Sequence, residues 1–320
     1  MHEAMRRLNI DSLESLSELQ HEQVATIGFF DGVHRGHQYL VRRVVEEATH
    51  TGYQSMVITF DRHPRQLAQG DYHPLMLTTL DQKLEKIAAL GVDYVAVLRF
   101  DQDMARLTAK EFMSRVLCRR LKVRKLILGY DNRFGHDRRE GFDDYVRYGH
   151  ELGMDVTREQ VVSADDSQSV SSSLIRACIQ EGDIVRAHAY LGYPYTITGV
   201  VVPGYQEGRK LGFPTANLDT SDFGQLIPLA GAYAVEVKVE NSSQRYWGMM
   251  NIGTRPTFHG HSQTLEVHLF DFDGDLYGKV LQVSFRYRIR GEKHFSSVEE
   301  LSLQLQKDKL TCQSLLGRSI

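Results

Sequence analysis

Hydrophobic positions along this chain keep one rhythm in the first half and another in the second. Early on, "VATIGF" (Val24–Phe29), "SMVITF" (Ser55–Phe60) and "KLILG" (Lys125–Gly129) are short, mostly apolar runs. Such runs suit strands buried on both faces of a parallel sheet. Between them lie stretches with helical spacing. "HQYLVRRVVEEATH" places Leu40, Val41, Val44, Val45 and Ala48 on one face, and "LDQKLEKIAALG" does the same with Leu80, Leu84, Ile87 and Ala88 before a stop at Gly91. "VDYVAVLRF" reads as a further strand. "TAKEF" offers a capping box, Thr108 with Glu111, for a helix ending near Arg120. A helix over about 141–152 and a strand over about 154–162 complete the alternation. Strand and helix in turn predict an α/β, Rossmann-like domain with a doubly wound parallel sheet. Ligands of such sheets bind beyond the carboxyl ends of the strands.

Near residue 190 the pattern turns to glycine-punctuated strands: "TITGVVVPG", "GAYAVEVKV", "RYWGMMNIG", "LEVHLFDFDG" and "VLQVSFRYRIR". Turns rather than helices separate them, which predicts an all-β antiparallel barrel or sandwich. "SVEELSLQLQKDKLTCQSLL" closes the chain as an amphipathic helix. The boundary is placed in "AYLGYPYT", giving domains 1–188 and 189–320.

Composition narrows the possibilities. A length of 320 residues fits two domains, and 42% hydrophobic with 25% charged residues is globular. A net charge of −3 supplies no global attraction for nucleic acid or an anionic membrane, so any phosphate site has to be local. The three cysteines form no CxxC pair, which suits a reducing cytoplasm. No apolar segment of signal-peptide or membrane-span character is present. Neither nucleic acid nor membrane is expected as a partner, and the sequence sets no oligomeric state.

Candidate chemistry begins at "GFFDGVHRGHQYL" (Gly28–Leu40), where a strand becomes a helix. Gly32 and Gly36 leave room for a ligand to approach, and the free N–H groups of a helix start favour phosphate. His34 and His37 share a helical face and could donate to a polyphosphate as charge grows on it. A metal pair or two unrelated surface histidines are the competing readings. "SSSLIRACIQEGDI" (Ser171–Ile184) opens a helix with serines. They serve as N-caps or, with Arg176, as one side of a phosphate clamp. "LGYDNRFGHDRREG" and "ITFDRHP" each follow a strand; alone they read as a charged loop and a turn.

In the second half, "PGYQEGRKLGFPTANL" (Pro203–Leu218) is glycine-rich but lacks the P-loop pattern. It is either a long β-loop with a basic tip or a loop that embraces phosphates. On the second reading, Thr215 and Asn217 supply hard oxygen ligands suited to Mg²⁺. "DFDGD" is not an EF-hand, because its glycine comes too early and Gln282 stands where the closing glutamate belongs. A hairpin turn at Asp273–Gly274 is expected instead. Glu266 alternates with Leu265, Val267 and Leu269, so it shares a strand face with His268 and could deprotonate an alcohol.

Taken together, "GFFDGVHRGHQ", "TFDRHP", "GYDNRFG" and "SSSLIR" resemble the adenylyltransferase half of the bacterial bifunctional riboflavin kinase/FAD synthetases. "GFPTANL", "GAYAVEV", "NIGTRPTF", "EVHLFDFDGDLYG" and "RGEKHFSSVEEL" resemble their riboflavin kinase half, a small antiparallel β-barrel with a C-terminal helix. The resemblance implies two reactions: riboflavin and ATP give FMN, then FMN and ATP give FAD and pyrophosphate, with Mg²⁺ as cofactor and ATP as co-substrate. Riboflavin, FMN, FAD, ATP and ADP are the implied ligands.

It further implies that His34 and His37 bind the ATP phosphates, and that Ser172, Ser173 and Arg176 hold the β- and γ-phosphates. Gly28, Phe29, Asp31, Gly32 and Gly36 would line that nucleotide site, and His63, Asp131 and Arg133 the flavin site. In the kinase half it makes Gly208, Lys210, Gly212, Pro214, Thr215 and Asn217 nucleotide residues, Thr215 and Asn217 also metal ligands, and Glu266 the base. Two departures are local: Asn132 stands where the family usually has an aromatic residue, and "FGHDRREG" is one residue longer than the usual spacing. They leave two alternatives open, a kinase with a degenerate first domain and a flavin-binding regulatory protein without turnover. An aminoacyl-tRNA synthetase fragment would share the HxGH element but would need an anticodon-binding region, which is not seen.

Overall fold

The computed structural model describes residues 5–10, 19–63, 75–130, 132–136, 139–159, 163–164, 168–204, 207–221, 223–257 and 260–317. By compactness the chain divides between Ser171 and Ser172. That seam lies at the start of the helical segment 172–191, and the boundary read from the sequence lies near its end.

The first unit runs β1 (Arg6–Ile10), β2 (Gln23–Ile27), α1 (Arg35–Thr51), β3 (Gln54–Phe60), α2 (Leu80–Ala88), β4 (Tyr94–Leu98), α3 (Gln102–Arg106) and α4 (Ala109–Glu111). α4 leads into a π-helix, Phe112–Arg120, followed by β5 (Val123–Leu128), α5 (Phe142–Leu152), β6 (Asp155–Arg158) and a short ribbon of β7 (Ser163–Ala164) and β8 (Gln168–Ser169). Six strands form one parallel sheet in the order β1-β4-β3-β2-β5-β6. Strand alternation feeds two cores. Ala25, Ile27, Met56, Ile58, Leu126 and Leu128 face the layer with Phe112, Met113, Val116 and Tyr145. Val24, Val57, Val95 and Ile127 face Val41, Val44 and Ile87 of α1 and α2. Burial on both faces is why these strands read as apolar runs without the polar alternation of a half-buried strand.

The α1 helix stops at Gly52, which takes the left-handed conformation with φ 72°. The Thr108–Glu111 capping box forms as expected, and α2 has a second one from Thr79 and Gln82. β1 is an edge strand that the apolar pattern did not announce. Of the strand expected over 154–162, Asp155–Arg158 pair with β5 as β6, Glu159 N donates to the Leu128 carbonyl at 2.9 Å, and 160–162 lie outside the described residues.

The second unit runs α6 (Ser172–Glu181), α7 (Ile184–Leu191), β9 (Thr196–Val202), α8 (Glu207–Lys210), β10 (Ala216–Leu218), β11 (Gly231–Val239), β12 (Arg245–Thr257), β13 (Gly260–Leu269), β14 (Val280–Gly291) and α9 (Val298–Leu315). The strands close an antiparallel barrel in the order β10-β13-β12-β11-β14-β9, with β9 pairing back to β10. Closure removes exposed edges. α9 packs on the barrel through Cys312, against a cluster of Phe213, Ala234, Met249 and Phe270. The expected hairpin at Asp273–Gly274 does not form. β13 pairs with β10 and β12, while β14 pairs with β9 and β11, so the stretch between Leu269 and Val280 connects strands that are not neighbours.

Candidate active sites

Strand order places the first site. The chain moves from β2 to β3 on one side and later returns to β5 on the other, so β2 sits at the topological switch point. The GFFDGVHRGH turn leaves the carboxyl end of β2, where a doubly wound sheet opens a crevice.

The turn itself is unusual backbone. Phe30 (φ 55°), Gly32 (φ 76°) and Val33 (φ 33°) all take positive φ. Only the glycine does so without steric cost, so the two side-chain-bearing residues need support from their surroundings. Phe30 and Val33 are buried and give apolar anchorage. The Asp31 carboxylate, 4% exposed, accepts from Leu77 N at 3.0 and 3.1 Å and from Thr78 N at 3.2 Å. Gly32 N donates to Thr78 Oγ1 at 3.2 Å. Asp31, expected to line the nucleotide site, thus also anchors the turn to the backbone just before α2.

The histidines follow. His34 is the N-cap of α1, and its Nδ1 accepts from His37 N at 3.4 Å. An accepting Nδ1 leaves the proton of the neutral ring on Nε2, available as a donor. The two imidazoles stack, with centroids 3.6 Å apart and planes 18° from parallel. The edge of Phe30 meets His37 at 5.0 Å. Burial lowers the His34 pKa to about 4. Burial, His34 and Lys83 hold His37 well below its ordinary value. Both rings are therefore neutral at pH 7, and His37 Nδ1 is buried without a hydrogen-bond partner. A side chain on Gly36 would meet the His34 ring at 3.3 Å, and one on Gly28 would meet the Phe30 ring at 3.1 Å. The glycines thus allow the rings their places.

Other predicted residues gather at the same end of the sheet. Phe29 meets His63 edge-on at 4.9 Å, which joins the turns after β2 and β3. Asp131 lies outside the described residues. Arg133 is exposed. Asn132 donates its side-chain amide to the Ile27 carbonyl, so the departure from an aromatic ties the loop after β5 to the end of β2. Tyr145 holds the same loop. Its hydroxyl accepts from Phe134 N at 3.1 Å and its ring stacks on Phe134 at 4.2 Å. Neither contact was visible in the motifs, and an aromatic on α5 in phase with its buried face was the one available signal.

Ser172, Ser173 and Arg176 open α6. The chain reaches them through Val170, whose carbonyl lies 3.9 Å from where a Cβ on Gly36 would be.

In the barrel, register assembles the second site. Glu266 on β13 faces Asn217 on β10 to one side and Asn251 on β12 to the other. Directly paired residues point to the same face, so the carboxylate is flanked by two amides. Gly204 packs so closely on Asn217 that a Cβ there would fall 2.0 Å from its amide nitrogen. Gly208 begins a tight curl: its carbonyl accepts from Leu211 N at 3.1 Å and from Phe213 N at 2.9 Å. Lys210 ends α8, and Gly212 turns the chain with φ 82°. The Pro214 carbonyl accepts from His268 Nδ1 at 2.8 Å, which fixes the loop just before Thr215. Burial lowers the His268 pKa, in keeping with a neutral donor ring.

A cavity of about 550 Å³ adjoins Thr215. Arg209 and Pro214 line it on the glycine loop, and Phe272, Asp273, Asp275 and Tyr277 line it on the β13–β14 connection. That connection, read from the sequence as a turn, thus walls a cavity that also takes Val267 and Leu269, the β13 residues that alternate with Glu266. On the far side of Glu266, Glu292 accepts from Thr254 N at 3.1 Å, which brings "RGEKHF" onto "NIGT".

Thr215 and Asn217 offer an uncharged hydroxyl and an amide oxygen. Among the described residues no group of three or more His, Cys, Asp or Glu could hold a metal. The set fits an ion such as Mg²⁺, which keeps waters and takes further oxygens from nucleotide phosphates, and does not fit a dedicated protein cage.

Comparison with known proteins agrees on both halves. The FAD synthetase family model matches residues 16–174, and the riboflavin kinase family model matches residues 191–316. The bifunctional riboflavin kinase/FMN adenylyltransferase of Escherichia coli K12 is 41% identical over 309 residues, covering 96% of this chain and 97% of that protein. The Bacillus subtilis protein of the same description is 34% identical over 299 residues, 92% of each chain. A crystal structure described as a macrolide-efflux protein from Streptococcus pneumoniae superposes with a TM-score of 0.87 at 31% identity, covering 96% of this chain and 98% of the other. Among the described residues of this chain no helix is long and apolar enough to cross a membrane. The chain belongs to the family of bifunctional riboflavin kinase/FMN adenylyltransferases.

Proposed function

We propose that the barrel phosphorylates riboflavin with ATP to give FMN, and that the parallel-sheet unit joins FMN to the AMP moiety of a second ATP, giving FAD and pyrophosphate. What supports this reading is the row Asn217–Glu266–Asn251 across three barrel strands, in a chain whose other unit presents His34 and His37 at a switch point.

In the kinase step Glu266 takes the proton of the ribityl hydroxyl. That oxygen bonds to the γ-phosphorus of ATP, the bond to the bridging oxygen breaks, and ADP leaves. Thr215 and Asn217 would hold Mg²⁺, which neutralises phosphate charge when bound. The curl from Gly208 to Gly212, with Lys210 and Pro214, packs over the phosphates.

In the adenylyl step an FMN phosphate oxygen bonds to the α-phosphorus of ATP, and the bond to the β-phosphate oxygen breaks. Negative charge on the phosphate oxygens draws on N–H donors: His34 Nε2–H, His37 and the backbone of the α1 start. Neutral imidazoles suit this role, since a dry pocket makes each donor count for more. Ser172, Ser173 and Arg176 take the β- and γ-phosphates, so the functional boundary is kept at 188/189, beyond α6 and within α7. Gly28, Phe29, Gly32 and Gly36 shape the nucleotide site, and His63, Asp131 and Arg133 the flavin side. Three free cysteines, Cys118, Cys178 and Cys312, suit a reducing cytoplasm.

Purified protein incubated with riboflavin, ATP and Mg²⁺ and resolved by chromatography should show FMN rising first and FAD following. FMN without FAD would favour a kinase with a degenerate first unit. Neither product would leave a flavin-binding protein.

A further inference from the structure

Lys83 has no part in the chemistry above, yet it is buried, with 4% of its surface exposed. Its neighbours on the buried face of α2 are Leu84 and Ile87, so an aliphatic residue would suit the packing. A lysine there costs desolvation and needs a compensating set of acceptors. Its Nζ donates to the Phe29 carbonyl at 3.1 Å, the Thr59 hydroxyl at 3.0 Å and the Phe60 carbonyl at 3.2 Å. Three protons meet three acceptors, so no donor is left over for a substrate. Thr59 Oγ1 also donates to the Phe29 carbonyl at 3.1 Å, and the ammonium lies 4.5 Å from the centre of the Phe29 ring.

Those acceptors lie at the carboxyl end of β3 and in the turn that leaves β2. The backbone right after Phe29 is the strained run from Phe30 to Val33, which persists only if its surroundings over-determine it. One segment supplies the constraints. Leu77 and Thr78, just before α2, hold Asp31 and Gly32, and Lys83 on α2 holds Phe29.

We propose that Lys83 is a positioning residue of adenylyl transfer: by tying the Phe29 carbonyl to the end of β3, it fixes the turn that presents His34 and His37. This rests on reading that turn as the adenylyl site. The charges that act on the ammonium are Asp31 in the turn and Asp61 after β3, which favour its protonation. Arg62 pairs with Asp61 at 3.2 Å, and the charge of Lys83 in turn disfavours a proton on His37. Burial prevails, and the Lys83 pKa falls to about 8. The protonated form makes all three hydrogen bonds, so the clamp is complete below that pH and weakens above it.

The test uses the full-length protein and the conversion of added FMN to FAD, with riboflavin kinase activity as internal control. Lys83→Met should lower kcat for FAD formation about tenfold to 100-fold, the scale of a displaced catalytic group. Kinase activity should stay within about twofold, as for distant independent sites. In the native protein FAD formation should decline through a midpoint near pH 8. Lys83→Arg, which stays charged, should lose that alkaline decline even if its activity is reduced. A residue that only filled space would alter yield or heat resistance and leave kcat and pH profile untouched. An unchanged alkaline decline in Lys83→Arg overturns the proposal, whether or not Lys83→Met folds. So does an unchanged kcat in a folded Lys83→Met. If His37→Ala keeps full FAD formation, the reading of the site itself fails; if it abolishes FAD formation while the Lys83 tests fail, only the proposal falls.

Discussion

Replacing Asp31 with asparagine separates two roles that the sequence alone could not distinguish. A residue that touches ATP or its metal should change the Michaelis constant and leave stability alone. A residue that pins the turn should do the reverse. In the structure the carboxylate takes two backbone donors, Leu77 N and Thr78 N, in a buried setting. Hydrogen bonds to a charged acceptor contribute about 1.5–3 kcal/mol each, against about 0.5–1.5 kcal/mol for neutral ones. Asparagine keeps the one oxygen, Oδ1, that accepts from both Leu77 N and Thr78 N, and turns an NH₂ toward Leu77 N where Oδ2 stood. The expected loss is therefore about 2–3 kcal/mol, two charge-assisted bonds reduced to neutral ones. For a unit of this size that lowers the melting temperature by roughly 4–12 °C. The assay is residual activity after a graded heat challenge. FAD formation from FMN should fail at a lower temperature in Asp31→Asn, while riboflavin kinase activity in the same sample survives as in the native chain. Unchanged heat resistance with a strongly raised Michaelis constant for ATP would refute the anchoring argument.

Two further outcomes follow from the barrel. Arg290 meets Asp308 through Nε at 3.0 Å and a second guanidinium nitrogen at 2.8 Å, and Gln304 adds a bond at 2.9 Å, all on a carboxylate that is nearly fully buried. Asp308→Ala strands the guanidinium and should cost about 3–5 kcal/mol, read as earlier heat loss of kinase activity with FAD formation spared. His188 on α7 is held at about 4 by burial, aided by the charge of Arg286. The unfolded chain therefore takes up the proton first as pH falls. The stability it contributes is whole above pH 6.5 and drains away toward pH 4. His188→Gln should flatten the acid side of a melting-temperature profile for the barrel, and an unchanged slope would contradict this.

Much of the fold was legible because its signals are local. Doubly buried strands such as Val24–Ile27 have no charged position to break the apolar run, and the switch from helical to strand spacing near 190 marks a change of architecture. β1 was not legible, since Arg6, Arg7 and Asn9 on an edge strand carry no buried period. The turn forecast at Asp273–Gly274 failed because residue preference says what bends a chain, not which strands it joins. The cavity wall at Phe272–Tyr277 went unseen for the same reason. Among site residues, His34, His37, Thr215, Asn217 and Glu266 stand out by type and spacing. The supports do not. Thr78, Lys83, Asn132 and Tyr145 act through contacts made by the tertiary fold, and Asp31 carries a functional motif while serving the backbone behind it.

Two separate sites perform two successive steps on this reading, and a pair of variants separates them. His37→Ala given riboflavin, ATP and Mg²⁺ should accumulate FMN and form no FAD. Glu266→Gln should lose FMN formation by about 100-fold or more, the scale of a missing general base, yet convert added FMN to FAD at the native rate. If either variant, still folded, lost both activities or neither, the assignment of the two steps to His37 and Glu266 would be contradicted.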